Sequence, residues 1–190
     1  MKKEYILGMG VAAIILILYL SRKPIITAVK KLMNRDEFIN TYKDTVKKAS
    51  ANTGLFPSLF MAQAILESSD NKGVPGNSTL SKVGNNFFGI KADKGWQGNV
   101  ITLPTREVIN GKSVMVNAPF RKYASPLDSF KDRVQFLIKN SRYKNAGVFI
   151  AHNPAEQANA LQKAGYASDP NYAKVLIGLI DKYNLRTLDT

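Results

Sequence analysis

Apolar positions along the chain follow helical spacing at both ends of its larger part and lose that period in the middle. Phe38, Ile39, Tyr42 and Val46 recur as one face of a helix, with Asn34 or Asp36 to cap its start and Gly54 suited to its end. Pro57 fits the first turn of a second helix, PSLFMAQAILESS, apolar on most of its circumference and so expected at the centre of a domain. Gly, Pro, Asn and Ser dominate from Asp70 to Ser81, which reads as a loop. Two segments rich in β-branched residues, NVITLPTREV and KSVMVNAPF, then flank Asn110-Gly111, the strongest short signal for a hairpin. Pro104 inside the first of them requires a sheet edge or a bulge.

Helical spacing returns after the hairpin, and each helix is announced by a capping residue followed by proline: Ser125-Pro126 with Asp128, Asn153-Pro154 with Glu156, and Asp169-Pro170. Phe130, Val134, Leu137 and Ile138 form one stripe; Val175, Leu176, Leu179 and Ile180 form another. The expectation is a mainly α (α+β) domain over residues 35–190, with a small β-hairpin lobe inserted between its helices.

The first 34 residues have a different character. Tyr5 to Leu20 is uncharged and apolar between Lys2, Lys3 and Arg22, Lys23, which predicts a membrane helix followed by a basic connector. No small-x-small cleavage site follows Leu20, so a retained anchor is preferred to a cleaved signal peptide. Basic residues after the segment outnumber those before it, a bias that taken alone holds the rest of the chain on the cytoplasmic side. A formal charge of +13 predicts attraction to polyanions. The lysines are scattered rather than interleaved with aromatics on one face, so nucleic acid is not the expected partner. With no cysteine and one histidine, His152, neither a disulfide framework nor a zinc cluster is expected, and His152 beside the capping Asn153 reads as surface.

Glu67 ends the apolar helix. A carboxylate there meets the negative end of the helix dipole and partial desolvation beside Ile65 and Leu66, and both favour its protonated form. That is how a general acid for a glycosidic oxygen is made; the plainer alternative is an exposed acid at a frayed helix end or one paired with a lysine.

The segments AQAILESS, NNFFGIKA, TREVINGK, FRKYASPLDSF and LQKAGYASDPNYA occur in the order and spacing of the bacterial glucosaminidase domains of glycoside hydrolase family 73, which cleave peptidoglycan, and the chain resembles them from about Arg35 to about Leu185. The resemblance implies a lysozyme-like helical domain with a β-lobe and no cofactor. Glu67 would be the catalytic acid, and Glu107 on the hairpin the second carboxylate, with Asp70 a weaker candidate. Tyr166, in a loop between Gly165 and a cap, would face the acid. The glycan groove would draw on Asn86, Phe88, Tyr123 and Tyr172, with Phe87 equally suited to the core. Trp96 is expected at the base of the β-lobe. Many members carry Gly-Trp after the Glu-Ser pair, whereas this chain has SDNKG. The implied partner is the peptidoglycan glycan strand, cut between N-acetylglucosamine and N-acetylmuramic acid by a domain facing the wall. Alternatives on the same fold are a muramidase or lytic transglycosylase, including one carried in a phage virion, and a noncatalytic glycan-binding module.

Overall fold

The computed structural model describes residues 35–109 and 112–190. The expected membrane helix at Tyr5 to Leu20, nearly all of the basic connector, the Asn34 cap and the Asn110-Gly111 turn lie outside the described residues. Among the described residues no helix is long and apolar enough to cross a membrane.

Helix α1 occupies 35–50 and α2 Pro57–Glu67, with Pro57 in its first turn. Between them Gly54 adopts φ +76°, and a Cβ there would lie 2.5 Å from the Phe149 carbonyl oxygen, so glycine is required both by conformation and by space. Seven consecutive α2 residues from Leu59 to Ile65 are buried, as its all-round apolar character predicts. Its N-terminus has no side-chain cap of its own. The free N–H groups are met from far along the chain: Phe56 N donates to Gln157 Oε1 at 2.8 Å and Ser58 N to Asp189 Oδ1 at 2.7 Å.

The expected loop from Asp70 to Ser81 is shorter than predicted. Ser78 caps a short helix, α3 (Thr79–Gly84), by accepting from Ser81 N at 3.2 Å. Strands β1 (Val100–Ile109) and β2 (Lys112–Arg121) form one antiparallel two-stranded sheet in the register Ile101↔Phe120, Leu103↔Ala118, Thr105↔Val116, Glu107↔Val114. In two strands both are edges, which accommodates Pro104. Ile101, Leu103, Thr105 and Glu107 turn toward the helices while Thr102, Pro104 and Arg106 are exposed, the period of two that a half-buried strand requires.

Helix α4 (Pro126–Lys139) starts with the predicted capping box of Ser125 and Asp128, and α6 (Pro154–Lys163) with Asn153, whose side chain accepts from Glu156 N at 2.9 Å. A short helix α5 (Ser141–Asn145) lies between them. Helix α7 (Tyr172–Lys182) begins later than Asp169-Pro170 predicts, because the Asp169 carboxylate takes the Asn171 N–H at 2.8 Å and closes a turn first. A 3₁₀ turn (Leu185–Leu188) returns the C-terminus against α2.

The core is aromatic. The Phe130 ring lies 5.3 Å from Phe60, 5.4 Å from Phe87 and 5.1 Å from Phe88, centroid to centroid. Helix α4 also holds the root of the hairpin: Arg121 Nη1 donates to both carboxylate oxygens of Asp132, at 2.9 and 2.8 Å, and Tyr123 Oη donates to the same group at 2.6 Å. One helix thus fixes the core, the base of the β-lobe and, through its next residue, the floor of the groove described below.

Candidate active site

The two serines after Glu67 finish α2. Ser68 Oγ donates to the Ala64 carbonyl at 2.5 Å, beside the Ser68 N–H that bonds the same oxygen at 3.1 Å, and Ser69 Oγ donates to the Ile65 carbonyl at 2.6 Å, closing the last turn. Ser68 Oγ also accepts from Gly76 N at 2.8 Å, tying the following loop to the helix end. Glu67 is therefore the terminal residue of a rigid buried helix, not an acid on a frayed end.

Its carboxyl is largely buried, and that desolvation raises its pKa above the ordinary glutamate value. The charge of Arg133 and a hydrogen bond from Tyr172 oppose the rise without cancelling it. Tyr172 Oη donates to Glu67 Oε1 at 3.1 Å and accepts from Gln63 Nε2 at 2.8 Å, so a chain from within α2 through α7 orients the acid. Burial pushes the Tyr172 phenol up as well, keeping it neutral and able to donate.

Two recesses meet at Glu67 and share Gly89 and Lys91 with it. One, of about 610 Å³, runs under the hairpin along Leu80, Leu103, Thr105 and Phe120. The other, of about 480 Å³, runs over α4 along Phe88, Arg133, Phe136 and Tyr166. Together they form an open groove that passes the acid on both sides, the shape a chain substrate needs.

The predicted site residues divide into three groups. Glu67, Phe88, Tyr166 and Tyr172 come together. Phe88 is at once core, stacked 5.3 Å from Phe60, and groove wall; Phe87 belongs to the core alone. Tyr166 lines the α4-side recess with its ring 5.2 Å from Tyr172, and burial pushes its phenol up to about 12, so it too is neutral. Tyr172 sits behind Glu67, almost wholly buried, where it serves the acid rather than the open groove.

Glu107 forms the second group. It lies on the inward face of β1 but lines neither recess; Lys91, which lines both, holds its Oε1 at 2.5 Å. An exposed pair of this kind contributes at most about 1 kcal/mol and is readily exchanged.

Asn86, Tyr123 and Asp70 form the third group, whose polar atoms are occupied by structure. Asn86 Nδ2 donates to the carbonyls of Ile90 and Arg121, both at 2.9 Å, while its Oδ1 accepts from Ile90 N. Tyr123 gives its hydroxyl to Asp132. Asp70 accepts from the backbone of Lys72 and Val74 and from the Asn77 amide, and these bonds hold its carboxyl below the ordinary aspartate value. Trp96 packs at the base of the β-lobe, its ring under the Arg121 guanidinium at 4.7 Å and its Nε1 donating to Asn99 O. His152 is exposed. Among the described residues no three side chains of metal-ligating type converge.

Sequence reasoning missed Arg133 and Gln63. Arg133 sits on the same helical face as Phe130, Val134 and Leu137 and is fully buried. A cation at i+3 from one core residue and i−4 from another was the available signal.

Comparison with known proteins bears on the family and the fold. The sequence model of the Glucosaminidase family, described as mannosyl-glycoprotein endo-beta-N-acetylglucosaminidase, matches residues 43–185. The peptidoglycan hydrolase FlgJ of Vibrio parahaemolyticus is 40% identical over 148 residues, covering 77% of this chain and 47% of that protein. The exo-glucosaminidase LytG of Bacillus subtilis is 38% identical over 138 residues, covering 71% and 46%. The chain thus spans about half the length of these relatives. The crystal structure of the catalytic domain of the autolysin Auto from Listeria monocytogenes superposes with a TM-score of 0.71 at 33% identity, covering 82% of this chain and 88% of that one.

Proposed function

We propose that this chain, which belongs to the glucosaminidase family of glycoside hydrolases, is a peptidoglycan hydrolase that cuts the β-1,4 bond after N-acetylglucosamine with Glu67 as general acid. The observation that carries the reading is a largely buried carboxyl, kept toward its protonated form, at the point where two recesses of one groove meet. A glycosidic oxygen leaves poorly until it receives a proton, and a carboxyl with a raised pKa holds that proton to higher pH than an ordinary glutamate does. The neutral phenol of Tyr172 orients it, and Tyr166 presents a second neutral hydroxyl beside the reacting position.

Glu107 is assigned the second carboxylate. It reaches the site when the hairpin closes over the glycan and Lys91 releases it. Continuation of the groove on both sides of Glu67 supports cutting within a strand rather than only at its end. The +13 charge would hold the enzyme on an anionic wall. The division into a membrane anchor with basic connector over 1–34 and a catalytic domain over 35–190 rests on the sequence pattern, and the placing of that domain toward the wall rests on the substrate, against the charge bias across the anchor.

Digestion of purified peptidoglycan followed by borohydride reduction and mass spectrometry tests the bond. Reducing-end N-acetylglucosaminitol is the expected product. Muramitol ends would make the protein a muramidase, anhydromuramic ends a transglycosylase, and no products at all a binding module.

A further inference from the structure

Among the described residues, all but one of the buried side-chain polar atoms that lack a hydrogen-bond partner belong to Arg133: its Nε, Nη1 and Nη2. A guanidinium carries five donors and a permanent charge, and burying it unpaired is costly. Aromatic rings surround it instead of carboxylates. Its Cζ lies 4.3 Å from the centroid of Tyr166 and 5.7 Å from those of Phe88 and Phe136. Those faces offset part of the lost hydration but cannot fill the donors.

Arg133, the three rings and Glu67 all line the recess over α4, and the arginine's charge acts on the Glu67 carboxyl against the effect of burial. At 0% exposure, Arg133 has no surface with which to touch a glycan. What its charge can serve is the acid.

We propose that Arg133 is a positioning residue for Glu67, a fixed countercharge for the carboxylate that exists after Glu67 has given up its proton. The inference rests on Glu67 being the acid. In that step the bond from the anomeric carbon to the leaving oxygen breaks and its electron pair stays on the oxygen, which takes the Glu67 proton and departs as a hydroxyl. The water that then adds to the anomeric carbon releases one proton, which restores the acid. In between, Glu67 bears a negative charge where burial disfavours it. A guanidinium free of any salt bridge keeps its whole field for that charge and needs no rearrangement when it forms. Full pairing of Arg133 with another carboxylate would cancel the field, which gives its unfilled donors a reason.

Other groups face Glu67 and are held constant by the test. Tyr172 from α7 and Tyr166 from the loop after α6 are neutral phenols. Lys91 is paired with Glu107 from β1, and Arg121 from β2 with Asp93 and Asp132. Arg142 from α5 lines the same recess and donates to the Tyr143 hydroxyl.

The test is the pH dependence of kcat on soluble glycan strands for the parent, Arg133→Met and Arg133→Lys, with thermal unfolding measured alongside. Removing the charge makes Glu67 harder to ionise, so the alkaline limb of Arg133→Met should move to higher pH while its maximal kcat falls about 10-fold or more. Arg133→Lys keeps a charge and should keep the limb at the parental position. A purely structural role would lower the unfolding midpoint of both variants and move neither limb. Superposition of the Arg133→Met limb on the parental one overturns the proposal. Should Arg133→Met not fold, Arg133→Gln, which removes the charge but keeps a polar side chain, decides: a limb moved to higher pH supports the proposal and a parental one overturns it. Full activity of Glu67→Gln would instead remove the acid on which the inference rests, a result separable from an unmoved limb in an otherwise acid-dependent enzyme.

Discussion

The helical body and the hairpin lobe treat their carboxylates in opposite ways. Glu67 ends a helix buried on nearly all sides, is hydrogen-bonded by a buried tyrosine, and shares its recess with a buried cation. Glu107 lies on a two-stranded sheet whose outer reaches are exposed, Met115 by 60%, and is held by a lysine that is itself half exposed. The hairpin is fastened firmly only at its root, where the Arg121 and Ala92 N–H groups bond the Ile90 and Pro119 carbonyls and Arg121 meets Asp132. A two-stranded ribbon contributes little stability of its own. The contrast teaches that the carboxyl proposed as proton donor is built on a packed, immobile element, while the one proposed as second acid is carried on a ribbon with few ties to the body.

The most severe way to break the contrast is to remove the fixed acid. Glu67→Gln should lower lytic activity by about 10² to 10⁴, the range general acid catalysis supplies, with near-native circular dichroism. Activity close to parental in a turbidity assay would show that the helical body does not hold the donor.

Next comes the platform beneath it. Phe130 is fully buried at the meeting point of the aromatic core, and Phe130→Ala should cost about 3 to 5 kcal/mol in urea unfolding, as large aromatic deletions do. A loss below about 1 kcal/mol would mean that the body is less rigid than its packing implies.

Glu107→Gln should reduce activity about 10-fold, clearly less than loss of the acid, because the substrate's acetamido group or another side chain can share its task. Equal losses in the two variants would erase the proposed inequality between the lobes.

A smaller effect follows from proton linkage. The folded-state pKa of Glu67 is raised, so its contribution to stability is fully present below the ordinary glutamate value and is lost as pH rises through the folded value. The stability of Glu67→Gln relative to the parent should therefore grow from acid to neutral pH; a difference independent of pH would contradict the desolvated site. Least of all, Met115→Ser on the outer hairpin should change stability by no more than about 0.5 kcal/mol, read from the same urea curves.

Local signals were readable wherever one short stretch contains both halves of an interaction. Pro57 in the first turn of α2, the Ser125 and Asp128 capping box, and Asn153 with Glu156 each involve neighbours a few residues apart. Together with the β-branched segments they already implied a helical domain with an inserted hairpin, to which the family resemblance added the lysozyme-like form. It also directed attention to Glu67, whose position after an apolar run already suggested desolvation.

The folded chain alone decided what surrounds that acid. Tyr172 reaches Glu67 across 105 positions of sequence, and Asp189 reaches the start of α2 across 131. Asn86, Tyr123 and Asp70 look like ligand-binding polar residues in a string of letters, yet the fold brings to each the carbonyls, amides or carboxylate that occupy it. Arg133 carried the opposite disguise: as a letter it is a solvent-facing cation, and only packing places it beneath three aromatic rings beside the acid. The physical reason is the same throughout. Capping and periodicity act over one or two turns of chain, whereas desolvation and unpaired charge are properties of a volume, set by which distant segments fill it.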